Sequence, residues 1–134
     1  MTNTLLVDGN NLIKIGFHGV REFYHNGNHI GGIFHFVNTL KKFLLEHNYD
    51  KVIVFWDSKN NSDQRRELFS EYKMNRKSDM NEAKKISFEW QMSRVQQYLE
   101  DMFIRQVMID NCEADDAIAY YCQISVDENK TIFS

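Results

Sequence analysis

Cysteine is scarce in this chain. Cys112 and Cys122 are the only two, too few and too far apart for a zinc site or a disulfide scaffold. Their simplest reading is as small, buried, apolar residues in a reducing cytoplasm. Proline is absent altogether, an oddity from which no function follows. No apolar run approaches the roughly 18 residues needed to cross a bilayer, and the N-terminus lacks the basic stretch and apolar segment of a secretory signal. The expectation is a soluble, cytoplasmic protein without a membrane partner. Positive charge is not in excess either. The net charge of −3 excludes a bulk polycation, so any contact with nucleic acid must use a local patch.

What is present is ordinary globular material: 134 residues, 43% hydrophobic and 26% charged, enough for one domain with a real core. Thr4-Leu5-Leu6-Val7 reads as a strand that stops at a turn, Asp8-Gly9-Asn10-Asn11. Asn26-Gly27-Asn28 marks a loop. Gly31-Gly32 opens a helical pattern with Ile33, Val37, Leu40 and Leu44 on its apolar stripe. Lys51 to Trp56 is a second strand, again followed by an aspartate, Asp57. Residues 58–85 are polar and charged. Phe88 to Met102 predicts a helix with Trp90, Met92, Val95 and Leu99 as apolar members. Ile104 to Ile109 predicts a third strand, Glu113 to Ile124 a helix with Ala114, Ala117, Ile118 and Tyr121 on one side, and Thr131-Ile132-Phe133 the start of a fourth strand. Strands alternating with helices imply a parallel α/β sheet. Its continuous apolar strands suit helices on both faces.

In such sheets, sites form at the carboxyl ends of the strands. Asp8 follows the first strand, Asp57 the second, and Glu113, Asp115 and Asp116 follow the third. A parallel sheet gathers all five at one edge. Bare carboxylates crowded there would repel, and some would take up protons. A hard divalent cation removes the conflict, and Mg²⁺ or Mn²⁺ prefers such oxygen ligands. Each acid has a plain alternative: Asp8 as a turn former, Asp57 as a turn residue or helix cap, and the acids of 113–116 as partners of a helix dipole. Their coincidence at successive strand ends favours the metal site.

The stretch 59–85 holds eight lysines and arginines against five acids, a balance of +3 in a chain of net −3. Within it Arg65, Arg66, Lys73 and Arg76 flank Tyr72. Cations neutralise phosphates, and a ring can stack on an unpaired base. Alone, the stretch is equally a solvated helix face.

Taken together, these residues resemble a known family. Leu6-Val7-Asp8-Gly9-Asn10-Asn11, then Gly32 to Leu40, then Val54-Phe55-Trp56-Asp57, are similar to the 5′–3′ exonuclease domain of bacterial DNA polymerase I and its phage relatives, the flap endonucleases. So is Arg65 to Arg76, which contains Tyr72-Lys73-Met74-Asn75-Arg76. Cys112 to Ala119, with Glu113-Ala114-Asp115-Asp116, resembles the family's Glu-Ala-Asp-Asp helix start. The resemblance implies a PIN-like, Rossmann-type α/β domain with a basic helical arch over 59–85. It implies metal-ligand roles for Asp8, Asp57, Glu113, Asp115 and Asp116, some through water. It places Lys73 and Arg76 at the scissile phosphate as catalytic cations, and Tyr72 near the unpaired terminal nucleotides. The implied activity is metal-dependent hydrolysis of 5′ ends and 5′ flaps of DNA, and of RNA primers in RNA–DNA hybrids.

The pattern departs from the family in two places. Where the family commonly has an arginine, seven residues after the first aspartate, this chain has Ile15 with Lys14 beside it, so a phosphate contact is expected to shift to Lys14 or be lost. The family's fourth strand leads to further aspartates and to a helix–turn–helix element that grips the duplex. Residues 1–134 contain neither and read as an N-terminal nuclease domain, incomplete at its C-terminal end: either a truncated piece of a longer chain or a natural fragment that a second chain would complete. Two other functions compete: a PIN-type ribonuclease, which shares the acidic edge without a long basic arch, and a catalytically silent fragment that binds DNA or a partner.

Overall fold

The computed structural model describes residues 1–19, 24, 25, 27–58 and 79–134. The elements are β1 (Thr2–Asp8), α1 (Gly9–Gly19), β2 (Tyr24–His25), β3 (Asn28–His29), α2 (Gly31–Glu46), β4 (Lys51–Trp56), α3 (Asp79–Asp101), β5 (Arg105–Met108), α4 (Ala114–Ile124) and β6 (Glu128–Phe133). Strands β5, β4, β1 and β6 lie side by side in that order, and every pairing is parallel. Strands β2 and β3 form a small antiparallel hairpin. Its turn contains Gly27 at φ 80, a conformation that glycine adopts without a steric cost.

The sheet is covered on both faces, as its apolar strands require. Side chains alternate along a strand. Leu5, Val7, Val54 and Trp56 therefore face one way, into a core with Leu12, Ile13, Phe36, Leu40, Met92, Val95 and Leu99 from α1, α2 and α3. Leu6, Ile53 and Phe55 face the other way, onto Ala114, Ala117 and Ile118 of α4. Burying side chains of this size stabilises by about 1.5–3 kcal/mol each.

Several elements differ from the sequence expectation. The turn expected at Asp8-Gly9-Asn10-Asn11 is a direct passage from strand to helix, and α1 was not expected at all. Its glycines are used for close approach: a Cβ on Gly16 would lie 2.5 Å from His35 Cβ and 3.1 Å from the Gly31 carbonyl oxygen. The stripe of α2 is rotated from the expected one. Phe36 and Leu40 are buried, whereas Val37 and Leu44 are 37% and 39% exposed, because α1 docks against the Gly31–Gly32 end. The third helix begins at Asp79, earlier than expected, so residues 79–85 of the expected arch belong to α3. Residues 59–78 lie outside the described residues. Strand β6 begins at Glu128 rather than Thr131. There the Glu128 carboxylate accepts from Thr4 Oγ1 at 2.6 Å, Tyr121 Oη at 2.9 Å and Lys51 Nζ at 3.2 Å, contacts that hold it below its ordinary pKa.

The topology fixes where a ligand would sit. The chain moves outward from β1 to β4 and β5, then returns to the other side of β1 as β6. The reversal falls beside β1, and the crevice at such a switch point is where open α/β sheets bind ligands. Asp8 is the last residue of that strand.

Candidate metal centre

Asp8 ends β1 opposite Phe55 of β4, and only 6% of it is exposed. The Asn11 backbone N–H donates to its Oδ1 at 3.1 Å, so the first turn of α1 orients the carboxylate. Gly9 makes that tight passage possible, since a Cβ there would lie 2.8 Å from the Trp56 ring. The indole is itself fixed. Its N–H donates to Gln106 Oε1 at 2.8 Å, and its ring stacks on Phe36 with centroids 5.9 Å apart.

Asp57 is held from two sides. Its backbone N–H donates to Asn10 Oδ1 at 2.8 Å, and its Oδ1 accepts from the Ala114 N–H at 2.7 Å. It therefore caps α4 from outside that helix, where the N-terminal end favours an anion. The Ser58 N–H reaches the Cys112 carbonyl at 3.1 Å, binding the segment after β4 to the segment before α4. Asp115 and Asp116 stand in the first turn of α4, with Glu113 at its N-cap.

The electrostatics follow from this packing. The Asp8 carboxyl is pushed up to about 6, mainly by burial, then by contact with the Asp115 carboxylate and by the charge of Asp57, while the Asn11 N–H pulls it down. No lysine, arginine or histidine among the described residues is ion-paired with it. The donor set is all oxygen, anionic and partly dehydrated, which fits a hard divalent cation. Among the described residues, however, no three acid, histidine or cysteine side chains stand close enough to enclose one. Asp8, Asp57 and Asp115 are brought together. Glu113, Asp115 and Asp116 are all exposed on that edge, and of the three it is Asp115 that contributes to raising Asp8.

Of the remaining expected site residues, Lys14 lies on the exposed side of α1. Arg65, Arg66, Tyr72, Lys73 and Arg76 lie outside the described residues. Sequence reasoning missed Asn10, whose side chain ties α1 to the end of β4. It sits in an Asp-Gly-Asn-Asn run that reads as a turn, and only the strand end before it hinted at a positioning role.

A parallel sheet flanked by helices, with the buried Asp8 carboxylate at its switch point, has the architecture of a PIN-like α/β domain. The chain belongs to the family of 5′–3′ exonuclease N-terminal, resolvase-like domains, whose model matches residues 3–134. Among curated proteins none matches the sequence. Among solved structures, the flap endonuclease of bacteriophage T5, in a pseudo-enzyme–product complex with DNA and metal ions, is similar with a TM-score of 0.65 and 19% identity. That match covers 93% of this chain and 45% of the other. The phage T5 protein co-crystallised with metal ions gives 0.62 and 24%, covering 90% and 44%. The phage T5 5′-exonuclease with bound zinc gives 0.66 and 18%, covering 93% and 45%. At these identities the likeness shows the fold. The chain spans less than half the length of these structures.

Proposed function

We propose that this domain hydrolyses phosphodiesters at 5′ ends and 5′ flaps of DNA, and of RNA primers in RNA–DNA hybrids, with Mg²⁺ or Mn²⁺ as cofactor. The carrying observation is the buried Asp8 carboxylate, raised to about 6 beside Asp115 and Asp57 at the sheet's switch point. Asp8, Asp57, Glu113, Asp115 and Asp116 would hold the cation, some of them through water. When bound, the cation lowers the pKa of a water molecule and stabilises charge on the phosphate. The chain's own residues do the rest. The Asn11 N–H and the Asn10 side chain orient Asp8 and Asp57. Lys73 and Arg76 meet the scissile phosphate. Lys14, Arg65 and Arg66 bind flanking phosphates, and Tyr72 stacks on an unpaired base.

The test is cleavage of 5′-labelled flap DNA against single-stranded RNA of equal length, with magnesium or with chelator. Magnesium-dependent cutting of the flap, lost in Asp115→Asn, is the expected result. Preference for the RNA would favour the PIN-type ribonuclease instead. A second reading is a domain that binds DNA without turnover until a second chain completes the site. It is favoured by the absence, among the described residues, of a group that already encloses a cation. Metal-independent DNA binding, with cutting only after a second chain is supplied, identifies that case.

A further inference from the structure

A cleft of about 630 Å³ opens between the end of α1, the β2–β3 hairpin and the start of α3, lined by Phe17, His18, Tyr24, His29, Lys84 and Trp90 among others. One wall is a run of rings: Tyr24 to His29 at 5.5 Å, His29 to Phe17 at 5.2 Å, and Phe17 to Phe88 at 5.4 Å between centroids. On α3, Trp90 carries the Arg94 guanidinium 5.5 Å from its ring centroid. Tyr24 is 57% exposed and Trp90 37%, although both are large rings that burial would stabilise.

The cleft lies on the same side of the fold as the carboxylates. Helix α2 ends where the chain turns into β4, at the amino edge, with the Asp50 N–H on the Asn3 carbonyl at 2.8 Å. Sixteen residues of helix span about 24 Å, so its N-terminus, beside His29, reaches the carboxyl edge. Two exposed rings with a lysine between them in the lining suit a ligand that has both a flat π-face and an anion.

We propose that this cleft binds one unpaired nucleotide of the substrate strand, its base stacked on Tyr24 and Trp90 and its phosphate met by Lys84. The proposal rests on the nucleic-acid reading above but not on turnover. Stacking on aromatic side chains is tolerant of base identity, so the cleft selects for an unpaired base rather than for a sequence.

The chain provides its own reporter. Of its two tryptophans, Trp56 is 2% exposed and Trp90 37%, so fluorescence that added DNA can quench comes from Trp90. The full chain is titrated in chelator with an oligothymidylate, and with an abasic strand of the same length. The expected result is saturable quenching by the oligothymidylate and much weaker quenching by the abasic strand. Tyr24→Ala weakens oligothymidylate binding by roughly ten-fold, the order set by one lost stacking contact, whereas Tyr24→Phe retains it. Lys84→Ala flattens the log–log salt dependence by about 0.7 unit, one single-strand phosphate, whereas Lys85→Ala, outside the cleft, leaves it unchanged. Equal quenching by the abasic strand, or wild-type affinity in a folded Tyr24→Ala protein, overturns the proposal. A protein that cuts flaps in magnesium but shows no quenching loses the cleft alone. One that is quenched but never cuts keeps the cleft and loses the nuclease.

Discussion

Asp8 is the residue at which folding and function pull against each other. Its carboxyl is raised to about 6 by burial and by Asp115, against roughly 4 for an ordinary aspartate. Between those two values the folded chain binds a proton that the unfolded chain does not. Stability contributed by this group therefore rises as pH falls through about 6 and levels off near 4. At neutral pH the charged Asp8 costs on the order of 1–3 kcal/mol. In chelator, Asp8→Asn is expected to melt higher than the parent at neutral pH, with the gap closing toward pH 4. Because the two proteins are compared at each pH, the opposite contribution of Glu128, lost only as pH falls below the ordinary carboxylate range, cancels. Millimolar magnesium reverses the order at neutral pH, since a ligand of the folded form raises its stability and the asparagine lacks the charge to hold it. Melting curves of both proteins across pH, with and without magnesium, check this. A gap that does not change with pH would mean that Asp8 titrates normally. The acids were legible in the sequence because each follows a strand end and because acids at successive strand ends have no common structural cause. Asn10 was not, because an Asx side chain after a strand looks the same whether it makes a turn or holds a neighbouring loop.

Among the elements, α2 shows how a local pattern is overruled by packing. Its N-cap, Ile30, has no side-chain cap bond. The cap is supplied instead by Gln91, fully buried on α3, whose Oε1 accepts from the Gly32 N–H at 2.8 Å and the Ile33 N–H at 3.2 Å. Its Nε2 donates to Ser87 Oγ at 3.3 Å. Gln91→Leu keeps the volume but leaves donors at a buried helix end without an acceptor, an expected loss of about 2 kcal/mol, read from urea unfolding. A smaller change, within about 0.5 kcal/mol, would mean that the helix end reaches water. No capping box in the sequence announces α2, since its cap comes from a residue far along the chain. Helix α1 was unread for a related reason. Gly9, Gly16 and Gly19 each lower helix propensity by about 1 kcal/mol relative to alanine. Only the fold reveals that Gly9 and Gly16 are required for contact with Trp56 and His35. Strands β1 and β4, by contrast, were legible because burial leaves an uninterrupted apolar run, whereas the short β2–β3 hairpin, with no such run, was read only as a loop.

For the whole molecule, charge and topology address the same edge. A chain of net −3 whose 59–85 stretch carries +3 leaves −6 on the rest, with five of its acids at the carboxyl edge of the sheet. The stretch leaves the sheet at Asp57, inside the acidic group, and returns as α3 over the aromatic cleft. Lys73 and Arg76 are three apart, so on a helix they share a face, and in the proposed function both meet the scissile phosphate. A cation placed there stabilises charge that develops in the transition state more than charge present in the bound substrate. Lys73→Ala and Arg76→Ala are therefore expected to slow single-turnover cleavage of a flap by about 100-fold or more while weakening flap binding much less. Each should also flatten the salt dependence of binding by about one unit of log–log slope. Lys85→Ala should change neither rate nor slope, and Lys84→Ala only the slope. The measurement is single-turnover cleavage and equilibrium binding of the same flap at two salt concentrations. Four equal, small losses from these lysines and the arginine would reduce the stretch to a diffuse positive surface. The specific role proposed for Tyr72-Lys73-Met74-Asn75-Arg76 would then be gone, although the role proposed for the carboxylates would stand.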